Sequence, residues 1–271
     1  MGTENNNTDA SNPYQAPAAS VAEPEHLIDG DFQFIEPQRV PFARGWSWLA
    51  DGFRLFARNP LIWIINFLLF MIVMFISAFI PFASNVLNPI LLGGFMKGCR
   101  EIDTGGSLEV SHLFSGFNKD GGKLAITGLI FLAGMIGVMM ILMIIAGVSM
   151  FSLGVFESLM VEGADQDMTL FFSIFALFYL LMFAALLPLM MAIWFAPPLI
   201  VFHDKEPFDA MKLSFMGCLR NILPFILYSI IGTVFMVIAS IPFFLGWFVI
   251  MPVFIASMYS SYKDIFTSDA V

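Results

Sequence analysis

The chain has 271 residues, 59% of them apolar and 12% charged, with a mean hydropathy of +0.85 and a net charge of -9. Soluble domains average about 45–50% apolar and about 25% charged residues, so this chain cannot cover a water-facing surface. Composition alone makes it an integral membrane protein and excludes an ordinary soluble enzyme. Seven acids and one base, Arg39, fall in residues 1–40, so that segment carries -6. It repels nucleic acid and anionic lipid, and neither is expected as its partner.

Residues 1–41 are polar and rich in Asn, Ala, Pro and Glu. They bury too little apolar surface to offset ordering entropy, which predicts a disordered tail. Within it Asn12, Pro13 and Tyr14 stand out as a candidate docking motif for a protein partner. The bland alternative is an extended linker with one stray tyrosine. The tail has neither a basic start nor an apolar core, so a secretory leader is not expected.

Next comes Trp46–Arg58, with polar residues at 47, 51, 54 and 58 and with Trp46, Leu49, Phe53 and Phe56 on another face. This pattern predicts an amphipathic helix lying in the membrane interface, with Trp46, Trp48, Phe53 and Phe56 as anchors. It recurs before residue 222, where Phe208, Met211, Phe215 and Cys218 oppose Asp209, Lys212 and Arg220. Phe208 and Phe215 are the anchors expected there. A shorter form sets Val110, Leu113, Phe114 and Phe117 against Glu109, His112 and Ser115.

Charge-free runs cover 59–96, 124–156, 168–202 and 221–262. A span needs about 20 apolar residues. The first and last runs are long enough for two spans each, divided at Ile80-Pro81 and Ile241-Pro242. The predicted spans are residues 61–80, 84–100, 124–153, 169–198, 222–241 and 245–262, with Pro188 kinking the fourth. The fold class is therefore all-α. Six transmembrane helices form three hairpins, each preceded by an interfacial helix, in a domain over residues 42–266. A short C-terminal segment, 267–271, follows.

All 12 Lys and Arg residues fall on one side of this arrangement, and the opposite loops hold only acids. By the positive-inside rule both termini are cytoplasmic. Trp63, Trp194, Tyr259 and Tyr262 are expected at that same membrane edge as interfacial anchors.

The first and third units share an internal spacing. Arg58-Asn59 and Arg220-Asn221 each open a span. The hairpin Pro follows the Asn by 22 and 21 residues, and Asp103 and Asp264 each lie 22 residues after that Pro. Three parallel units are inferred, the middle one by architecture only.

No ionisable residue lies inside the four charge-free runs, which weighs against an ion-coupled transporter. Asn66, Tyr179 and Tyr228 are candidates for interhelix hydrogen bonds or, less readily, for lining a polar cavity. His26, His112 and His203 are scattered, and no CxxC, HExxH, GxSxG or phosphate-loop pattern occurs. Neither a metal, a cofactor nor an enzymatic activity is expected. Cys99 and Cys218 read as small apolar residues without a disulfide. Partners expected are the lipid bilayer, a protein reached through residues 1–40, and further copies of the chain.

Short blocks carry a resemblance. Gly45-Trp46-Ser47-Trp48, Gly52-Phe53-Arg54-Leu55-Phe56, Leu92-Gly93-Gly94-Phe95-Met96, His112-Leu113-Phe114-Ser115-Gly116-Phe117 and Trp194-Phe195-Ala196-Pro197 are among them, as is Ser257–Phe266. Over residues 42–266 the chain resembles an uncharacterised family of proteobacterial inner-membrane proteins. More distantly, it looks like the membrane domain attached to some bacterial glycerophosphodiester phosphodiesterases. The resemblance implies an inner-membrane location and no catalytic activity, since no phosphodiesterase domain is present. The function that follows is an accessory or scaffolding component acting by binding. The alternative is a carrier or flippase for a lipid or apolar solute.

Overall fold

A computed structural model describes residues 33–152 and 168–268. The docking motif Asn12-Pro13-Tyr14 and most of the acidic stretch 157–168 lie outside them. The described chain is mostly helical, and four of its helices are long and apolar enough to cross a membrane: Pro60–Ser77, Gly121–Ser149, Phe172–His203 and Ile222–Ser240.

Helix α1 (Arg44–Arg58) ends at Asn59, whose φ of -144° and ψ of 58° leave the helical region. Pro60 forces this, because a residue before proline is pushed out of the α conformation. Pro60 then opens α2 (Pro60–Ser77) at a position where its missing N–H costs nothing. A turn with Phe82 in the left-handed region (φ 66°) leads into α3 (Ala83–Asp103). The short α4 (Val110–Phe114) and a 3-10 turn (Ser115–Phe117) precede α5 (Gly121–Ser152). Helix α6 (Met168–Trp194) is followed by α7 (Ala196–His203), α8 (Pro207–Arg220), α9 (Ile222–Ser240) and α10 (Trp247–Phe266).

The break in the fourth apolar run falls at Phe195, seven residues beyond Pro188. The cause is the pair Pro197-Pro198, which supplies no amide hydrogens to the carbonyls of the preceding turn. Ser214 of α8 repairs the break. Its hydroxyl accepts the Phe195 N–H at 2.8 Å and donates to Met191 O at 2.6 Å, standing in for the lost helical bond.

The shorter helices pack on the long ones out of chain order. Helix α1 lies against α10 and α9, the α4 segment against α3, and α8 against α6. Glycine allows the first of these approaches: a Cβ at Gly52 would stand 2.6 Å from Val253 O. Helices α3 and α10 carry most of the core, with Leu91, Phe95, Met96, Val253, Tyr259 and Tyr262 all buried. Trp63 stacks on Phe95 with centroids 5.7 Å apart. Trp63, Tyr259 and Tyr262 are thus core residues, not interfacial anchors, because aromatic partners from neighbouring helices enclose them.

The expected tail boundary at residue 41 also moves. Gln33–Phe34 (β1) pairs antiparallel with Thr267–Ser268 (β2), Gln33 opposite Ser268 and Phe34 opposite Thr267. Ile35 N–H donates to Phe266 O and Gln38 N–H to Ile265 O. The Asn221 side chain accepts from Val40 N–H and donates to Gln38 O, each at 2.9 Å. Residues 33–41 form a strap held by these bonds.

Candidate functional site

Of the residues singled out as lipid anchors, Trp46 (52% exposed), Phe53 and Phe208 (70%) do face outward, and Phe215 is half-buried. Trp48 and Phe56 are buried against other helices. The reason is that α1 has apolar residues on more than one side. Gly45, Leu49 and Gly52 draw one side into protein, carrying Trp48 with it.

The polar cavity candidates do not converge. Asn66 is fully buried and its Nδ2 donates to Glu109 O at 3.1 Å. The Tyr228 hydroxyl shares a 2.7 Å hydrogen bond with Ser257 Oγ. Tyr179 is 51% exposed on the outer side of α6, against Phe175 and Phe178 of its own helix.

Polar groups converge elsewhere. The polar stripe of α1, the C-terminal ends of α3 and α10, and the strap enclose a partly open cup of about 500 Å³. Four cations, Arg44, Arg54, Arg58 and Lys263, and three carboxylates, Asp51, Asp103 and Asp264, line it, for a net charge of +1. Asp264 is the hub. Its carboxylate accepts Arg44 Nε and Nη2, each at 2.5 Å, and Trp48 Nε1 at 2.6 Å. The bidentate fork is the strongest pairing a carboxylate makes. Asp51 accepts the Ser260 hydroxyl at 3.0 Å and is paired with Arg54 one turn away. Asp103, the counterpart of Asp264 in the repeat spacing, accepts Lys263 Nζ at 2.5 Å and the Tyr259 hydroxyl at 3.2 Å. Arg58 Nη1 donates to Ile102 O at 2.5 Å. The carboxylates thus pair with Arg44, Arg54 and Lys263, and Ile102 O holds Arg58, around a partly open recess. Such a recess has the size and polarity to take a polar or charged group.

Further charges cluster at the same end of the bundle. Lys97 pairs with Asp120 at 2.8 Å. Lys123 pairs with Asp204 at 3.0 Å and Glu206 at 2.8 Å. The hydrogen bond from Lys123, helped by the charge of Lys119, holds the Asp204 carboxyl below its ordinary value. Asp204 and Glu206 are thus a clamp on α5. Burial pushes the Cys218 thiol up to about 12, so it is no thiolate nucleophile. Among the described residues, no group of three or more His, Cys, Asp or Glu side chains is placed to hold a metal ion.

The sequence contained two traces of the cup: the matched positions of Asp103 and Asp264, and the polar stripe at 51, 54 and 58. The stripe reads as a solvent-facing surface until α10 and the strap are seen to fold over it.

A chain with four candidate membrane-crossing helices among its described residues, and with all its basic residues outside the charge-free runs, is similar to a curated protein. Over 211 residues it is 30% identical to a probable inner membrane protein of Burkholderia thailandensis, covering 73% of this chain and 74% of that one. The chain belongs to this inner-membrane protein family. It is an integral protein of the inner membrane. No family model matches it, and no solved structure does.

Proposed function

We propose that the chain is a six-span, non-enzymatic accessory component of the inner membrane, with both termini cytoplasmic, that binds a partner through its cytoplasmic collar. Helices α3 and α10 count as spans in this reading, pairing with α2 and α9 as the first and third hairpins. Three repeat units exchange their interfacial helices in a ring. The kinship with the phosphodiesterase-attached membrane domain belongs to this proposal as one of fold, with no activity implied.

One observation carries the reading. The charged side chains meet in a rigid cup at the basic end, whereas Asn66, Tyr179 and Tyr228 stay apart within the bilayer. A carrier needs convergent groups along its path; a docking component needs them at its mouth. The root of the acidic tail supports the same reading, since Ile35 and Gln38 form part of the cup wall. A protein partner then meets cup and tail together. Nucleic acid is not a partner in this reading, and copies of the chain are admissible ones.

A photo-crosslinking amino acid placed at Arg54 in living cells tests this, with Phe75, which is 68% exposed, as the lipid-facing control. A discrete protein adduct at position 54 and none at 75 is expected. Absence of any adduct at 54, together with movement of a fluorescent lipid between leaflets by the reconstituted protein, would replace this reading with the carrier.

A further inference from the structure

The charges lining the cup do not all cancel. Arg44 forks onto Asp264, and Lys263 pairs with Asp103 at 2.5 Å. Arg54 pairs with Asp51 of the preceding turn. The fourth cation, Arg58, has no carboxylate partner among the described residues. Its Nη1 donates to Ile102 O at 2.5 Å, and its side chain lines the cup. The excess positive charge of the recess therefore rests on Arg58.

Arg54 stands one turn before Arg58 on the polar stripe of α1, with its side chain 77% exposed. An exposed ion pair is worth little, so Arg54 turns from Asp51 to a second anion at small cost. The hydroxyls of Tyr259, Ser260 and Thr267 already donate, to Asp103, Asp51 and Lys263 O. What the cup holds in reserve is thus chiefly guanidinium N–H, on two side chains whose Cβ atoms at i and i+4 lie about 5–6 Å apart. That pair selects the guest. One fork fills the two oxygens of a carboxylate, as Arg44 does with Asp264. Two forks one turn apart call for an anion with more oxygens, and a phosphate group supplies them. The volume of about 500 Å³ leaves room for the group that carries the phosphate. We propose that the cup binds one phosphate group, from a lipid headgroup or a soluble phosphate ester, between Arg54 and Arg58. The inference rests on the reading of the cup as the binding site and names the chemistry it takes.

Phosphorus NMR of inorganic phosphate tests it, with the delipidated full-length protein in dodecyl maltoside, a detergent without phosphorus, at constant ionic strength. The wild type is expected to broaden the phosphate line saturably. Arg58→Gln, which keeps a donor for Ile102 O, and Arg54→Gln, at an exposed position, each weaken binding roughly tenfold, the scale of one charge-assisted hydrogen bond. Lys212→Gln removes an exposed charge outside the cup and leaves binding unchanged. A wild-type melt certifies each variant. Nanodiscs of phosphatidylglycerol separate the sources. Broadening that persists there marks a soluble ester as the guest, and broadening lost there but present in detergent marks the lipid headgroup. No saturable broadening by the wild type in detergent overturns the proposal. So does equal weakening by Lys212→Gln, because phosphate then senses net charge alone. Either result, with a protein adduct still formed at position 54, leaves the partner reading intact; phosphate binding without that adduct removes the partner and keeps the phosphate.

Discussion

The α5–α6 pair and the α9–α10 pair are both made of apolar helices, yet they are stabilised differently. In the span windows of α5 and α6, 6% and 0% of residues are buried inside the protein, so the bilayer itself is their main solvent. Helix α10 is the opposite, with buried side chains along most of its length and α1 laid across it. Apolar character therefore means two things here. In α5 and α6 it satisfies lipid. In α10, as in α3, it builds a protein core in which polar groups such as Ser257 and Ser261 are also accommodated by hydrogen bonds.

The sharpest way to break this contrast is with glycines. Gly52→Leu drives a side chain into the α10 backbone at Val253 and Ser257. Overpacking of this kind costs about 1–3 kcal/mol or more, and a thermal melt in detergent should fall by several degrees. A Cβ at Gly137 on α5 meets nothing within 4 Å, so Gly137→Leu should leave the melt unchanged. Equal effects at the two sites would show that α5 packs as α10 does.

Asp264→Ala comes next. It removes the carboxylate to which the Arg44 fork and the Trp48 indole donate, in a partly buried setting. A loss of about 2 kcal/mol is expected, discounted from the roughly 3–5 kcal/mol of a fully buried pair. A denaturant titration followed by tryptophan fluorescence measures it. A smaller loss, about 1 kcal/mol, is expected for Ser214→Ala, which strands the Phe195 N–H at the α6–α7 break. Hydrogen exchange at Phe195 should accelerate in that variant with α9 unaffected.

The smallest effect belongs to the exposed clamp on α5. A depressed carboxyl contributes stability above its unfolded value and loses it as pH falls through its lowered folded value. The small difference in melting temperature between wild type and Asp204→Asn at neutral pH should therefore vanish on acidification below the carboxylate range. A difference that grows on acidification would reverse the sign assigned to the clamp.

The helix bounds were largely legible because proline and charge punctuate the chain. Pro60, Pro81 and Pro242 mark turns, and the absence of charge marks the long runs. Facing was not legible. In water an apolar stripe points to the core, but lipid is as apolar as leucine, so pattern cannot separate a lipid-facing side from a buried one. Tyr179 and Trp48 show the failure in both directions: one expected between helices lies outward, the other expected in lipid lies inside. The break at Phe195 illustrates a further limit, since it takes two prolines and a serine from α8 to make it. The cup was only half legible. Its acids betrayed themselves by spacing, but α1 and the strap reach it through contacts some 220 residues apart in sequence, such as Arg44 with Asp264.

Labelling by an impermeant maleimide in spheroplasts bears most directly on the claim that every basic residue, and the cup with them, sits on the cytoplasmic side. Cys99 and Cys218 are first replaced by alanine, and a single cysteine is installed at Arg54 or at Glu162. The account predicts labelling at position 162 in intact spheroplasts and at position 54 only after the membrane is permeabilised. Labelling at position 54 before permeabilisation would contradict it.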